Sequence, residues 1–167
     1  MSIENLDPIL ISGMHRSGTS MVTNILNKCG LLIGKKLDVN NESLFFQRIN
    51  IWMMSLMGSS WDNPAIFKNI NPDIKDDMVS QLENLISSRA NTLYFGWASI
   101  IKKDSFHNIT APWGWKDPRN LFTQEIWREI FPKLKTIEII RHPIDTASSL
   151  MKRQKKEIWI YFRSTKY

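Results

Sequence analysis

The chain has 167 residues, 43% of them hydrophobic, with seven Trp and eight Phe. That composition excludes a disordered segment and suits one domain spanning residues 1–167. No apolar run approaches the ~18 residues needed to span a bilayer. Met1 to Asp7 carries two acids and no base, the wrong flank for a secretory signal. The single cysteine, Cys29, excludes an internal disulfide framework, so a reducing, cytoplasmic setting is expected. The net charge of +6 is concentrated: residues 151–167 hold six Lys and Arg against Glu157, a local +5, leaving +1 for the rest. A nucleic-acid binder spreads positive charge over a face, so no nucleic-acid partner is expected. The basic end reads as a solvated helix or as a docking surface for an anionic substrate.

In chain order, the apolar run Pro8–Ser12 predicts a buried strand ending at Gly13. A helix follows from Thr19 or Ser20, with Met21, Val22, Ile25, Leu26 and Cys29 on one face and Gly30 as its stop. Asn40 and Asn41 are expected to cap a second helix with Phe45, Ile49, Trp52, Met53 and Leu56 on its apolar side. Asn71-Pro72-Asp73 has the cap, first-turn proline and acid of a third helix start, with Ile74, Met78, Leu82, Leu85 and Ile86 as its stripe. Residues 91–103 are apolar but fit no single period. Trp113–Arg119 reads as a strand end and loop, Thr123–Phe131 as a helix ended by Pro132, and Thr136–Ile140 as a second strand. A last helix runs from about Ile144 to Lys155, and Ile158–Phe162 reads as an edge strand or an exposed end. Strand–loop–helix at both ends of the chain predicts an α/β fold, a three-layer sandwich around a mainly parallel sheet of the P-loop nucleotide-binding type. In such sheets ligands sit beyond the carboxyl ends of the strands, where Gly13 and Arg141 lie.

Gly13-Met14-His15-Arg16-Ser17-Gly18-Thr19-Ser20 joins the first strand to the first helix. Two glycines five apart let the backbone curl its N–H groups around an anion, and the helix N-terminus adds its positive end. The frame is that of the P-loop, with Thr19 in place of the lysine and the cation, Arg16, inside the loop. The second strand ends in arginine, where a nucleoside triphosphatase would carry an aspartate for its metal. An anion carrier without a bound metal fits better, and no Cys/His cluster suggests a metal site. At the other end, Arg141 leaves a strand and Ser149 lies eight residues on, in the next helix. An arginine grips a phosphate with two parallel bonds and a serine hydroxyl adds a third.

Two anion segments in one small domain suit a nucleoside phosphorylated at both ends. At this point the chain resembles the sulfotransferase family. Its 5'-phosphosulfate loop is similar to Gly13–Ser20, and its 3'-phosphate segment is similar to Arg141-His142-Pro143 through Ser149. Trp115-Lys116-Asp117-Pro118-Arg119 resembles a lysine–aspartate–proline element of tyrosylprotein sulfotransferases and bacterial relatives. The resemblance covers roughly residues 8–153 and implies a donor, 3'-phosphoadenosine 5'-phosphosulfate, and a hydroxyl or amine acceptor on a carbohydrate, lipid or peptide. It assigns Gly13, His15, Arg16, Ser17, Gly18, Thr19, Ser20, Arg141 and Ser149 to nucleotide binding. Arg16 and Lys116 would stabilise charge on the leaving oxygen.

Proton removal from the acceptor calls for a base. Relatives place a carboxylate after the first helix. Glu42 is the first candidate here and Asp38 the second, each also readable as a solvated cap. Gln47 stands after Phe46 where many bacterial relatives have glutamate. His15 reads equally as a substrate contact and as a loop support, whereas His107 and His142 carry no assignment. Trp61, Trp113 and Trp115 are divided between pocket lining and core. Two rival readings are a P-loop kinase or hydrolase with a degenerate loop, and a non-catalytic nucleotide-binding remnant. Relatives continue past Arg141 for longer than this chain, and the resemblance therefore implies nucleotide binding with weak or absent transfer unless another chain covers the site.

Overall fold

The sheet is built around β1 (Ile9–Gly13). In the computed structural model, which describes residues 6–64, 70–99 and 105–164 (side chains only to Arg153), β1 lies between two parallel partners. β2 (Gly114–Lys116) runs on one side with Leu10 opposite Trp115 and Ile11 opposite Lys116. β3 (Lys135–Ile139) runs on the other, with Gly13 opposite Ile139. Gly114 sits so close to β1 that a Cβ there would run into the Ile9 carbonyl.

Between and after the strands come α1 (Thr19–Lys28), α2 (Leu44–Leu56), α3 (Pro72–Ser87), the single-turn α4 (Thr92–Phe95), α5 (Asn120–Ile130) and α6 (Pro143–Ser164). Because strand side chains alternate, β1 feeds two cores. Leu10 points into the larger one with α2, α3, α4 and α5, and Ile11 into a smaller one shared with Leu31, Ile33 and Leu26 of α1. The result is helix, sheet, helix: the expected three layers. The large core is aromatic, with Phe46 stacked on Trp115 at 3.9 Å and Trp113, Trp115 and Trp127 all buried. A polar knot ties α2 to α5 within it: Asn50 accepts from Thr123 and Trp127 and donates to Asn120.

Local signals were legible where capping set them. Asn71 accepts from the Asp73 amide at 2.8 Å, and Met78, Leu82 and Ile86 are buried. Gly30 adopts the left-handed conformation (φ 100°) just beyond α1. Of the stretch 91–103, residues 91–95 form a short turn and α4; residues 100–103 lie outside the described residues.

Three expectations are corrected. The proposed buried face of α1 is mostly exposed: Met21 is 64% and Ile25 54% accessible, and Cys29 is exposed too, whereas Thr19 and Thr23 are buried. The loop from β1 fixes the helix's rotation, so the residue after Gly18 faces the sheet, and two small threonines let the helix approach it closely. Asn40 and Asn41 do not cap α2, which starts at Leu44 after Ser43. Asn41 takes a left-handed conformation (φ 62°) and donates to Asn24, while the Asn40 carbonyl accepts from Ser20, so this loop docks on α1 instead. Finally, Ile158–Phe162 is not a strand: α6 runs on through Ser164.

Candidate active site

At the carboxyl ends of β1, β2 and β3 lies a cavity of about 420 Å³. The β1–α1 loop forms one wall. Gly13 (φ 150°) is packed so tightly that a Cβ would come within 2.6 Å of the Ile139 carbonyl. Arg16 holds a left-handed conformation (φ 68°), uncommon for a residue with a side chain. Alternation of right- and left-handed residues turns successive N–H groups inward, the geometry of an anion nest. Ser17 Oγ and Ser12 Oγ, which do not line the cavity, are buried without a hydrogen-bond partner among the described residues.

The β3–α6 turn meets this loop directly. Arg16 Nε donates to Ser149 Oγ at 3.0 Å, and Arg141 Nη1 donates to the Arg16 carbonyl at 3.1 Å. The two anion segments, more than 120 residues apart in the chain, thus share one corner. Both arginines are exposed.

The β2 side is different. Lys116, 1% exposed, donates to Glu42 Oε1 at 3.0 Å. Lys116 is thus no surface lysine, and the solvated-cap reading of Glu42, which is 4% exposed, fails. Glu42 Oε2 accepts from Gln47 at 2.9 Å and has Arg119 Nη1 at 3.5 Å. Arg119 in turn donates to both oxygens of Asp117 at 3.0 and 3.2 Å. Burial pushes the Asp117 carboxyl up to about 6, with Arg119 offsetting part of that. Asp38, the other candidate base, is used up by its own loop: it accepts from the Asn40 and Glu42 amides and from Gln47. Of the two carboxylates, Glu42 is the one fixed beside Lys116.

His15 lines the cavity with its ring edge against Trp61, centroids 4.7 Å apart. Burial, opposed by Glu42, pulls its imidazole down to about 4, so it is neutral at neutral pH. Trp113 and Trp115 belong to the core, leaving Trp61 as the pocket tryptophan among the three. His107 lies elsewhere, near Ser87 at 3.4 Å, and His142 accepts the Thr146 amide through its carbonyl at the start of α6.

Arg119, Gln47 and Arg153 also line the cavity; of these the sequence marks only Gln47, as standing where many bacterial relatives have glutamate. Arg119 stood in the quoted Trp115–Arg119 run, and only its spacing of two from Asp117 hinted at the pair. Gln47 and Arg153 are recruited by helices from distant parts of the chain. Five cations (Arg16, Lys116, Arg119, Arg141, Arg153) face two carboxylates (Asp38, Glu42) around the cavity. That excess, with a low-dielectric wall, attracts an anion carrying more than one charge.

Compared with known proteins, residues 8–165 match the family model described as the sulfotransferase family. No curated protein and no solved structure matches.

Proposed function

The chain belongs to the sulfotransferase family, and from that premise we propose that it moves a sulfuryl group from 3'-phosphoadenosine 5'-phosphosulfate to a hydroxyl or amine acceptor. The observation that carries the reading is the Arg16–Ser149 contact, which joins a phosphate loop and a second arginine–serine segment at one mouth. A donor with phosphates on both sides of its ribose needs both. The β1–α1 loop, from Gly13 through His15, Ser17, Gly18, Thr19 and Ser20, cradles the 5'-phosphosulfate, with Arg16 as its cation. Arg141 and Ser149 hold the 3'-phosphate. The residues present fit this nucleotide: the excess of cations around the cavity favours an anion there.

In the reaction the acceptor oxygen or nitrogen forms a bond to sulfur. The bond from sulfur to the bridging oxygen breaks, and its electron pair stays on the 5'-phosphate. Lys116 and Arg16 stabilise that growing charge. Lys116 is bound to Glu42 before substrate arrives, so the ammonium turns towards the leaving oxygen while Glu42 keeps Gln47 and Arg119. Glu42 then takes the acceptor's proton. Trp61 and His15 form a part of the wall that carries no fixed charge at neutral pH, and the acceptor enters there. A P-loop kinase would bind triphosphates instead, and the family match favours sulfuryl transfer.

The test is calorimetric titration with adenosine 3',5'-bisphosphate and with ATP, each with chelator present, beside transfer of labelled sulfate to hydroxylated acceptors. Chelator-resistant binding of the bisphosphate in preference to ATP, together with transfer, is the expected result. Preference for ATP with magnesium would overturn the reading. Bisphosphate binding without transfer to any acceptor or to water would leave a nucleotide-binding remnant.

A further inference from the structure

Helix α6 has two unlike sides. Ser149 and Arg153 face the anion cavity. Ile144 and Met151, seven residues apart and so on one helical face, are 69% and 58% exposed; Ile140, just before the helix, is 86% exposed. None of the described side chains of α6 belongs to either hydrophobic core, and Thr146 is the one buried among them. Among the described residues, this apolar face is therefore left exposed. The sequence continues this pattern with Ile158, seven residues beyond Met151, and Phe162, four further, and the stretch carries Lys152, Lys155, Lys156 and Arg163 against a single acid, Glu157.

We propose that the outward side of α6 is a docking surface for an anionic lipid bilayer. A helix with an apolar stripe, flanking Lys and Arg, and Trp and Tyr among its residues (Trp159 and Tyr161 here) lies in the plane of a bilayer interface. Its apolar residues enter the headgroup region and its cations meet acidic headgroups. Charge selects this occupant over a second copy of the chain, because two segments of local +5 would repel across a symmetric contact. A straight stripe without a groove suits a plane better than a shaped protein partner. The helix does not span: no described helix is long and apolar enough to cross a membrane. Because the cavity lies on the other side of α6, docking leaves the nucleotide site open, and the proposal stands apart from the sulfotransfer reading.

The experiment is flotation of the full chain with phosphatidylcholine vesicles, with and without phosphatidylserine. The chain should float with the phosphatidylserine vesicles and stay behind with phosphatidylcholine alone. Raising salt from about 0.05 M to about 0.5 M should release it, as screening shortens the reach of the charges. Ile144→Asp with Met151→Asp alters exposed positions only and should weaken partition about tenfold or more. Lys152→Glu with Lys155→Glu should do the same, and titration with adenosine 3',5'-bisphosphate should be unchanged in both variants. Three results would overturn the proposal: vesicle binding indifferent to phosphatidylserine or absent, variants that float like the parent chain, or binding to polyglutamate without binding to vesicles. Self-association in sedimentation that the Asp variants abolish would assign the face to a second copy instead.

Discussion

The two sides of the anion cavity are built on opposite plans. On the β2 side, Lys116, Glu42, Asp117 and Arg119 are nearly sealed from solvent and already bonded to one another. On the β3 side, Arg16 and Arg141 are exposed, and their bonds go to a neutral hydroxyl and a carbonyl. A buried ion pair is expensive to break, because the partner left behind is a bare charge in a low-dielectric place. An exposed arginine bonded to a neutral group gives up that contact cheaply for a phosphate. In the proposed reaction the β2 side would supply the chemistry and depend on folding, and the β3 side would take the ligand.

The contrast predicts that damage to the β2 side appears first as instability. Glu42→Gln leaves Lys116 buried without a counter-charge and should lower unfolding free energy by about 3–5 kcal/mol in chemical denaturation. Glu42→Gln combined with Lys116→Met removes both charges and should recover most of that loss. A single variant within about 1 kcal/mol of the parent would mean the pair is effectively solvated, and the comparison would break.

Next in size is a hidden pH dependence. The folded chain holds the Asp117 proton up to about pH 6, whereas the unfolded chain releases it near its ordinary 3.8. Asp117 therefore makes stability fall as pH rises through that window. His15 acts oppositely: the unfolded chain holds its proton up to 6.5 and the folded one only to about 4, so stability rises with pH between those values. The two contributions oppose each other between pH 4 and 6, each on the order of 2–3 kcal/mol at most, that of the part-exposed His15 further reduced by solvent screening. Asp117→Asn should unmask a rise with pH, and His15→Asn a fall. Flat profiles in both variants would show that neither group is desolvated as its surroundings imply.

On the β3 side the effects should fall on binding instead. Arg16→Ala should weaken adenosine 3',5'-bisphosphate by about 1.5–3 kcal/mol in calorimetry while moving stability by no more than about 0.5 kcal/mol. Arg141→Ala should selectively cost the 3'-phosphate: affinity for the bisphosphate should fall, and affinity for adenosine 5'-phosphosulfate should hold. Equal weakening of both ligands would place Arg141 elsewhere on the nucleotide. The smallest effect is Ser149→Ala, about 0.5–1.5 kcal/mol in bisphosphate affinity. A large stability loss in any of these three would contradict the view that this side is built for ligand and contributes little to the fold.

Much of this was legible in the chain itself. The strand–glycine–helix turn at Gly13–Ser20, the Asn71 cap and the Gly30 stop are local events, each decided by a few adjacent residues and their backbone preferences. The layered fold follows from the order of such segments, and the family from the resemblance that their motifs carry. Amphipathic spacing alone misled in α1, because the phosphate loop sets the helix's rotation and gives its inner face to Thr19 and Thr23. It also could not foresee that Asn40 and Asn41 would dock on α1, since that contact lies across a turn.

The sequence by itself determined which residues could grip an anion, because glycine, arginine and serine in a strand-to-helix turn carry that capacity locally. What only the tertiary structure decided is which charges pair. Glu42 and Lys116 are 74 residues apart. Parallel register sets Lys116 opposite Ile11, at the end of β2, and the loop ahead of α2 brings Glu42 to it. Nothing near either residue in the chain encodes the other. Burial then makes the pairing obligatory, since neither charge is tolerated alone once water is gone.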